Sequence, residues 1–118
     1  MIIRPATLRD IYRFALCEGV TRLQLLATFA LVDLSVIEDG EPLLLYGSHG
    51  GHFTIFPSAH IRRRPLAFAR ATHKAYSAYR GSGLKCQVPR TETRVIAWAH
   101  WLGTQIHGCS PTHLEVVL

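Results

Sequence analysis

Arg62, Arg63 and Arg64 stand directly ahead of Pro65 and of a run, LAFARATHKAY, with the periodicity of a helix. A helix N-terminus carries partial positive charge, so each exposed cation there costs about 0.3–1 kcal/mol. The triplet therefore calls for a compensating negative charge. Three guanidiniums beside free backbone N–H groups form an anion site, suited to a phosphate, a nucleic-acid backbone or an acidic partner surface. The alternative is a solvated loop on which the arginines splay outward and the small penalty is tolerated.

A second group with chemical potential is Glu38, Asp39, Glu41 and His52. A carboxylate or imidazole can take a proton from an amine, although acids beside Asp39-Gly40 also suit an ordinary hairpin turn. The seven histidines raise the question of a metal. His49-x-x-His52 and His107-Gly-Cys109 lack the paired spacing of a structural zinc site, and no metal is expected. Trp98, Trp101, Tyr76 and Tyr79 fall at helical spacing, which points to packing rather than to a base-stacking platform. Trp101 lies off the stripe formed by Val95, Trp98 and Leu102, and is expected to be partly exposed as a contact surface.

The chain that must position these residues has 118 residues, the size of one domain. Hydrophobic residues make up 48% and charged residues 18%, a globular composition. The formal charge of +5 favours an anionic partner without naming one. The longest apolar run, LQLLATFALV, is about half the length needed to cross a bilayer, and MIIRPATLRD lacks the pattern of a signal peptide. Cys17, Cys86 and Cys109 are odd in number and scattered, which predicts free thiols and an intracellular location.

The periodicity predicts a short strand at MIIRPA, then a helix from Thr7 with Asp10 in its first turn. Gly19 interrupts that helix and TRLQLLATFALV resumes it. LSVIEDGEPLLLYG reads as two strands around Asp39-Gly40, and Gly47, Gly50 and Gly51 mark a tight connection into a strand through Phe53, Ile55 and Phe56. Pro65 opens a helix with Phe68, Thr72, Ala75, Tyr76 and Tyr79 on one stripe, closed by Gly81 and Gly83. GLKCQVP then reads as a strand, RTETRVIAWAHWLG as a helix, and the remainder as a hairpin around Ser110-Pro111. The predicted order is β, α(α), β, β, β, α, β, α, β, β in a single α/β domain spanning 1–118, with no repeat or linker.

This succession resembles the GNAT acyltransferase fold, a mixed and mostly antiparallel sheet flanked by helices. Two stretches carry the resemblance, FTIFPSAHIRRRPLAFARATHKAY and GLKCQVPRTETRVIAWAHWLGTQI. The second, with Ile96, Trp98 and Leu102-Gly103, is also similar to small GNAT-like proteins of tailed phages, of the internal virion protein A type. The resemblance implies acetyl-coenzyme A as cofactor, held by Phe56, Arg62, Arg63, Arg64 and Ala67, with Glu41 or His52 as the catalytic base. Departures from the pattern are specific. Pro65 stands where the phosphate loop has its first Gly and supplies no N–H. Glu92 stands at the Asn position, and Ala99 at the place that often holds the general-acid Tyr. These departures favour a non-catalytic virion or assembly component, or a host-factor binder, in the virion or host cytoplasm and with a protein partner. The other function class is an acetyl-CoA-dependent N-acyltransferase acting on an amine. Nucleic acid is a further candidate anion for Arg62, Arg63 and Arg64.

Overall fold

The computed structural model describes residues 1–118. Its elements are β1 (Ile2–Pro5), α1 (Leu8–Arg13), α2 (Arg22–Leu31), β2 (Ser35–Glu38), β3 (Pro42–His49) and β4 (His52–Pro57), then a 3-10 turn (Ala59–Arg62). They continue with α3 (Pro65–Tyr79), β5 (Lys85–Pro89), α4 (Thr93–Trp101), β6 (Gln105–Gly108) and β7 (His113–Val117). The strands form one seven-stranded sheet in the order β1-β2-β3-β4-β5-β7-β6. Every neighbouring pair is antiparallel except β4 and β5. A mixed, mostly antiparallel sheet flanked by helices is thus the architecture, as expected from the order of elements. No helix is long and apolar enough to cross a membrane.

Local chemistry explains the helix ends. Thr7 and Asp10 form a capping box at α1, and Thr21 and Gln24 form another at α2, each satisfying backbone N–H groups that a helix start leaves free. α1 is shorter than its apolar pattern predicts, because Phe14 leaves the helical region at φ −63°, ψ 129° and buries its ring in the core. The carbonyls exposed by that early ending accept from Arg22, whose Nη1 donates to Ile11 O at 2.6 Å and Phe14 O at 2.7 Å. One break, filled by one guanidinium, therefore separates two short helices.

The run Leu43, Leu44, Leu45 and Tyr46 in β3 is buried throughout, as befits a central strand covered on both faces. On one face Leu44 and Tyr46 pack with Phe68, Ala71 and Ala75 of α3. On the other, Leu45 and Val36 pack with Ile11, Phe14 and Leu25 of α1 and α2. α4 closes a smaller cluster of Val88, Ala99 and Val116, which Cys86 joins to the α3 side. Gly47, expected at a turn, instead lies within β3, where a Cβ would stand 2.7 Å from Asp33 O. The turn glycines are Gly50 and Gly51, at φ 57° and 79°.

β1 is tied to this body by ions. Arg4 donates to both oxygens of Asp10 at 2.8 Å and to Glu38 Oε1 at 2.9 Å. The Arg4 hydrogen bonds hold the Asp10 carboxyl well below its ordinary value of 3.8, aided by Thr7 against the opposing effect of burial. A carboxyl held down in the folded state contributes stability that is present above its unfolded value and lost as pH falls below it. Acid unfolding of the native protein should therefore steepen below about pH 4. Asp10→Asn should be less stable at pH 7 and show a shallower loss between pH 5 and pH 2, read by circular dichroism. Equal acid slopes in the two proteins would assign the contribution elsewhere.

Candidate functional site

β4 and β5 run parallel but pair at one register position, His52↔Lys85, and diverge beyond it. The divergence opens a cleft of about 800 Å³ on the α3 side of the sheet, within the size range of small-molecule sites. Its depth follows from the topology. The paired end is closed by Phe53, Tyr76, Cys86, Val116 and Leu118. The open end is flanked by Pro57 and Arg62 on one side and by Pro89, Glu92 and Arg94 on the other. Trp98 lines the middle, backed by the fully buried ring of Phe68, the two ring centroids 6.0 Å apart.

The strand edges facing the gap carry unpaired backbone groups. Ser58 N–H donates to Leu43 O, so the even positions of β4 face β3. By alternation the N–H and C=O of Ile55 face the gap. Leu118 N–H donates to Leu84 O, which sets the even positions of β5 toward β7 and turns the backbone groups of Gln87 toward β4. The cleft therefore offers an apolar body with amide donors and acceptors along its floor.

The arginine triplet divides at this site. Arg64 Nη2 donates to Asp39 Oδ2 at 2.6 Å and its Nη1 to Asp39 O at 2.5 Å, with Glu41 Oε1 at 3.6 Å. Arg63 lies 3.4 Å from both Glu41 oxygens and 2.6 Å from His60 Nδ1. The negative charge that two of the three arginines require is thus the chain's own, supplied by the β2–β3 turn. Arg62 has no ion pair and lines the cleft. It ends the 3-10 turn, an element that the sequence pattern does not announce, and α3 begins at Pro65 with no side chain capping its N-terminus.

Of the residues proposed to hold a cofactor, Arg62 alone lines the cleft. Phe56 packs against the α1–α2 cluster and Ala67 against the α3 cluster. Neither proposed base lines the cleft. Glu41 is engaged by Arg63, Arg64 and His60, and His52 is exposed with Nδ1 3.1 Å from Gly50 O. A polar role at the hairpin accounts for both positions. Ala99 lines the wall as a methyl group, with no phenol in its place.

Other lining residues escape a reading of spacing. Thr72 is nine-tenths buried, and its Oγ1 has no hydrogen-bond partner. Cys86 is a free thiol that burial pushes up, so it is protonated at neutral pH. Glu92 and Arg94 gain their place only because α4 begins beside the open end. Thr72 shares the apolar stripe of α3, and a lone hydroxyl in such a stripe is the one signal the sequence offers. No group of three or more His, Cys, Asp or Glu residues is arranged to hold a metal ion.

The pairing of Arg64 reverses the stability expectation from the helix dipole alone. Arg64→Gln should lower the unfolding free energy by roughly 0.5–1.5 kcal/mol, since Asp39 loses a charged partner in a half-exposed setting. Arg62→Gln should leave it unchanged. Urea denaturation of both variants checks this, and equal midpoints would show that the Arg64 contacts contribute nothing.

No family model matches the chain, and no curated protein matches it in sequence. Among solved structures, the solution structure of the apo form of YjaB from Escherichia coli is similar, with a TM-score of 0.61 at 13% sequence identity over 98% of this chain and 95% of that one. At that identity the likeness shows the fold alone.

Proposed function

We propose that this chain is a GNAT-like protein that binds a coenzyme A thioester in the cleft between β4 and β5 and lacks the machinery for efficient acyl transfer. The observation that carries the reading is the division of the arginines: Arg62, free of any carboxylate, stands at the mouth of an apolar cleft, while Glu41 is consumed in ion pairs outside it. A pantetheine arm is an extended chain with two amides, and the unpaired edges of β4 and β5 are suited to it. Arg62 and the uncapped start of α3 suit the phosphates. Pro65 removes one donor, which weakens that hold without abolishing it. For a non-catalytic protein the bound ligand serves an interaction, with a virion component or a host factor. Trp101, 66% exposed on α4, gives such a partner an aromatic contact.

One observation supports the enzyme reading instead. Glu92 is a lining carboxylate with no ion pair, available as a base if the ligand lies with its thioester toward the open end. Isothermal titration with acetyl-coenzyme A tests the binding, and release of free thiol in the presence of spermidine or lysine peptides tests transfer. Micromolar binding without thiol release is expected. Absence of binding at millimolar ligand would overturn the proposal, and turnover lost in Glu92→Gln would replace it with the enzyme.

A further inference from the structure

Charge is segregated along this chain. From Arg62 to Thr104 nine side chains are basic and one, Glu92, is acidic, whereas the remaining residues hold four basic and seven acidic ones. The basic segment builds α3, α4 and their flanks. Arg63 and Arg64 are met by the β2–β3 turn and Lys85 by Glu115, which leaves six of the nine cations without an ion pair. Neither α3 nor α4 carries an acidic residue. Phe68 of α3 meets Trp98 of α4 and His73 meets Trp101, so the two helices run side by side in one direction. On the side of α3 turned away from the sheet, Leu66, Arg70, His73, Lys74 and Ser77 are all exposed. Arg94 and Trp101 stand two turns apart in one row of α4, with the exposed methyl group of Ala97 between them. The outer surface of the helix pair is thus a cationic strip as long as α3, roughly 22 Å.

Trp101 adds to this strip what charge alone does not supply. It is 66% exposed, whereas Trp98 on the same helix packs against the core. The His73 ring meets the indole edge-on, with centroids 6.3 Å apart and planes at 61°, which fixes the indole beside α3 and leaves most of its surface to solvent. An aromatic plane among unpaired cations matches an unstacked base and its phosphates, since the ring stacks on the base while guanidinium and ammonium groups meet the backbone. In a duplex the base planes are stacked on one another and closed to an indole. An acidic protein surface would satisfy the cations and leave the indole without a matching plane. We infer that the outer face of α3 and α4 binds single-stranded nucleic acid, with a base stacked on Trp101 and the phosphates passing Arg70, Lys74 and Arg94. None of Arg70, Lys74 and Trp101 lines the cleft, so the inference needs no ligand there and its failure leaves the coenzyme A reading as it stands.

The test is fluorescence anisotropy of the intact chain with labelled oligothymidylate and oligouridylate, the oligothymidylate paired with its complement, and an oligoglutamate of equal length. The single strands should bind more tightly than the duplex and the oligoglutamate, by a margin that Trp101→Ala abolishes. With about three phosphates neutralised, raising the salt from about 50 to about 200 mM should weaken single-strand binding roughly tenfold or more. Trp101→Ala should weaken it roughly fivefold or more, and Trp101→Phe should restore most of that loss. Arg70→Gln combined with Lys74→Gln should also weaken it and reduce the salt slope by about 1. All of these positions are exposed, so the variants should melt with the native protein. A preference for one of the two single strands supports the inference and names the sugar. Absence of single-strand binding at low salt and submillimolar protein would overturn it. Duplex bound as tightly as the single strands, with Trp101→Ala neutral, would overturn the stacking contact and with it the single-strand assignment. Oligoglutamate bound as tightly as the single strands would overturn nucleic acid in favour of an acidic protein partner. Full affinity in the Arg70→Gln, Lys74→Gln variant would overturn the placement on α3.

Discussion

Phe68→Ala should lower the unfolding free energy by about 3–5 kcal/mol, the largest effect expected of any single substitution here. Phe68 is fully buried, packs with Ile37, Leu44 and Tyr46 on the sheet, and meets Trp98 of α4. It therefore belongs to the cluster that holds α3 on the sheet and to the contact that joins α3 to α4. Removing the ring leaves a hole that opens into the cleft, where water can enter, so the loss sits in the transfer of the ring and its contacts more than in an empty cavity. A domain of this size should melt roughly 10 °C lower or more. Thermal and urea denaturation followed by tryptophan fluorescence measure it. Phe68→Leu should recover more than half of the loss, and a cost below about 1 kcal/mol for Phe68→Ala would show that α3 is held by other contacts.

Gly47→Ala should cost about 2–3 kcal/mol although it adds a single methyl group. The added Cβ would stand 2.7 Å from Asp33 O and 2.8 Å from Val32 Cγ1, both in the segment between α2 and β2. One of those atoms is backbone, and Leu34 in the same segment is buried in the core, its carbonyl accepting from Ala6 N–H at 2.8 Å. The strand cannot yield without moving Leu34 and Val36 out of the α1–α2 cluster. Equilibrium denaturation again reads the effect, and a change under about 0.5 kcal/mol would mean that residues 32–34 shift freely.

The fold was legible where local chemistry and pattern agree. Asp39-Gly40 announces the β2–β3 turn, with Gly40 at φ 73°, and Gly50-Gly51 announces the next. Pro65 and the Phe68–Thr72–Tyr76 stripe delimit α3 within a residue of its observed span. The run LLLY marks the central strand because its alternation is lost to burial on both faces. The site was legible in one residue of its proposed set, Arg62. The carboxylate partners of Arg63 and Arg64 lie 22 and 25 residues away on a hairpin, and no periodicity reports which carboxylates a turn will bring to a helix start. Glu41 looked like a base for the same reason that it pairs with arginine: it is a half-exposed carboxylate at the end of a strand. Gly47 was misplaced because a glycine required by a close backbone approach and one required by a turn are identical in sequence. The cleft itself depends on two strands that start together and part, which is a property of the sheet and of no single segment.

That parting makes the sheet two ribbons, β1-β2-β3-β4 and β5-β7-β6, stitched at His52↔Lys85 and otherwise spanned by the side chains of α3 and α4. In most sheets the central strands hold the amide protons that exchange last with solvent. Here the centre is the seam. The amides of Ile55 and Gln87 should trade hydrogen for deuterium well ahead of those of their neighbours Phe56 and Val88, which are locked into the ribbons on either side. Protection should accordingly peak in two separate bands, with a minimum along the middle of the molecule.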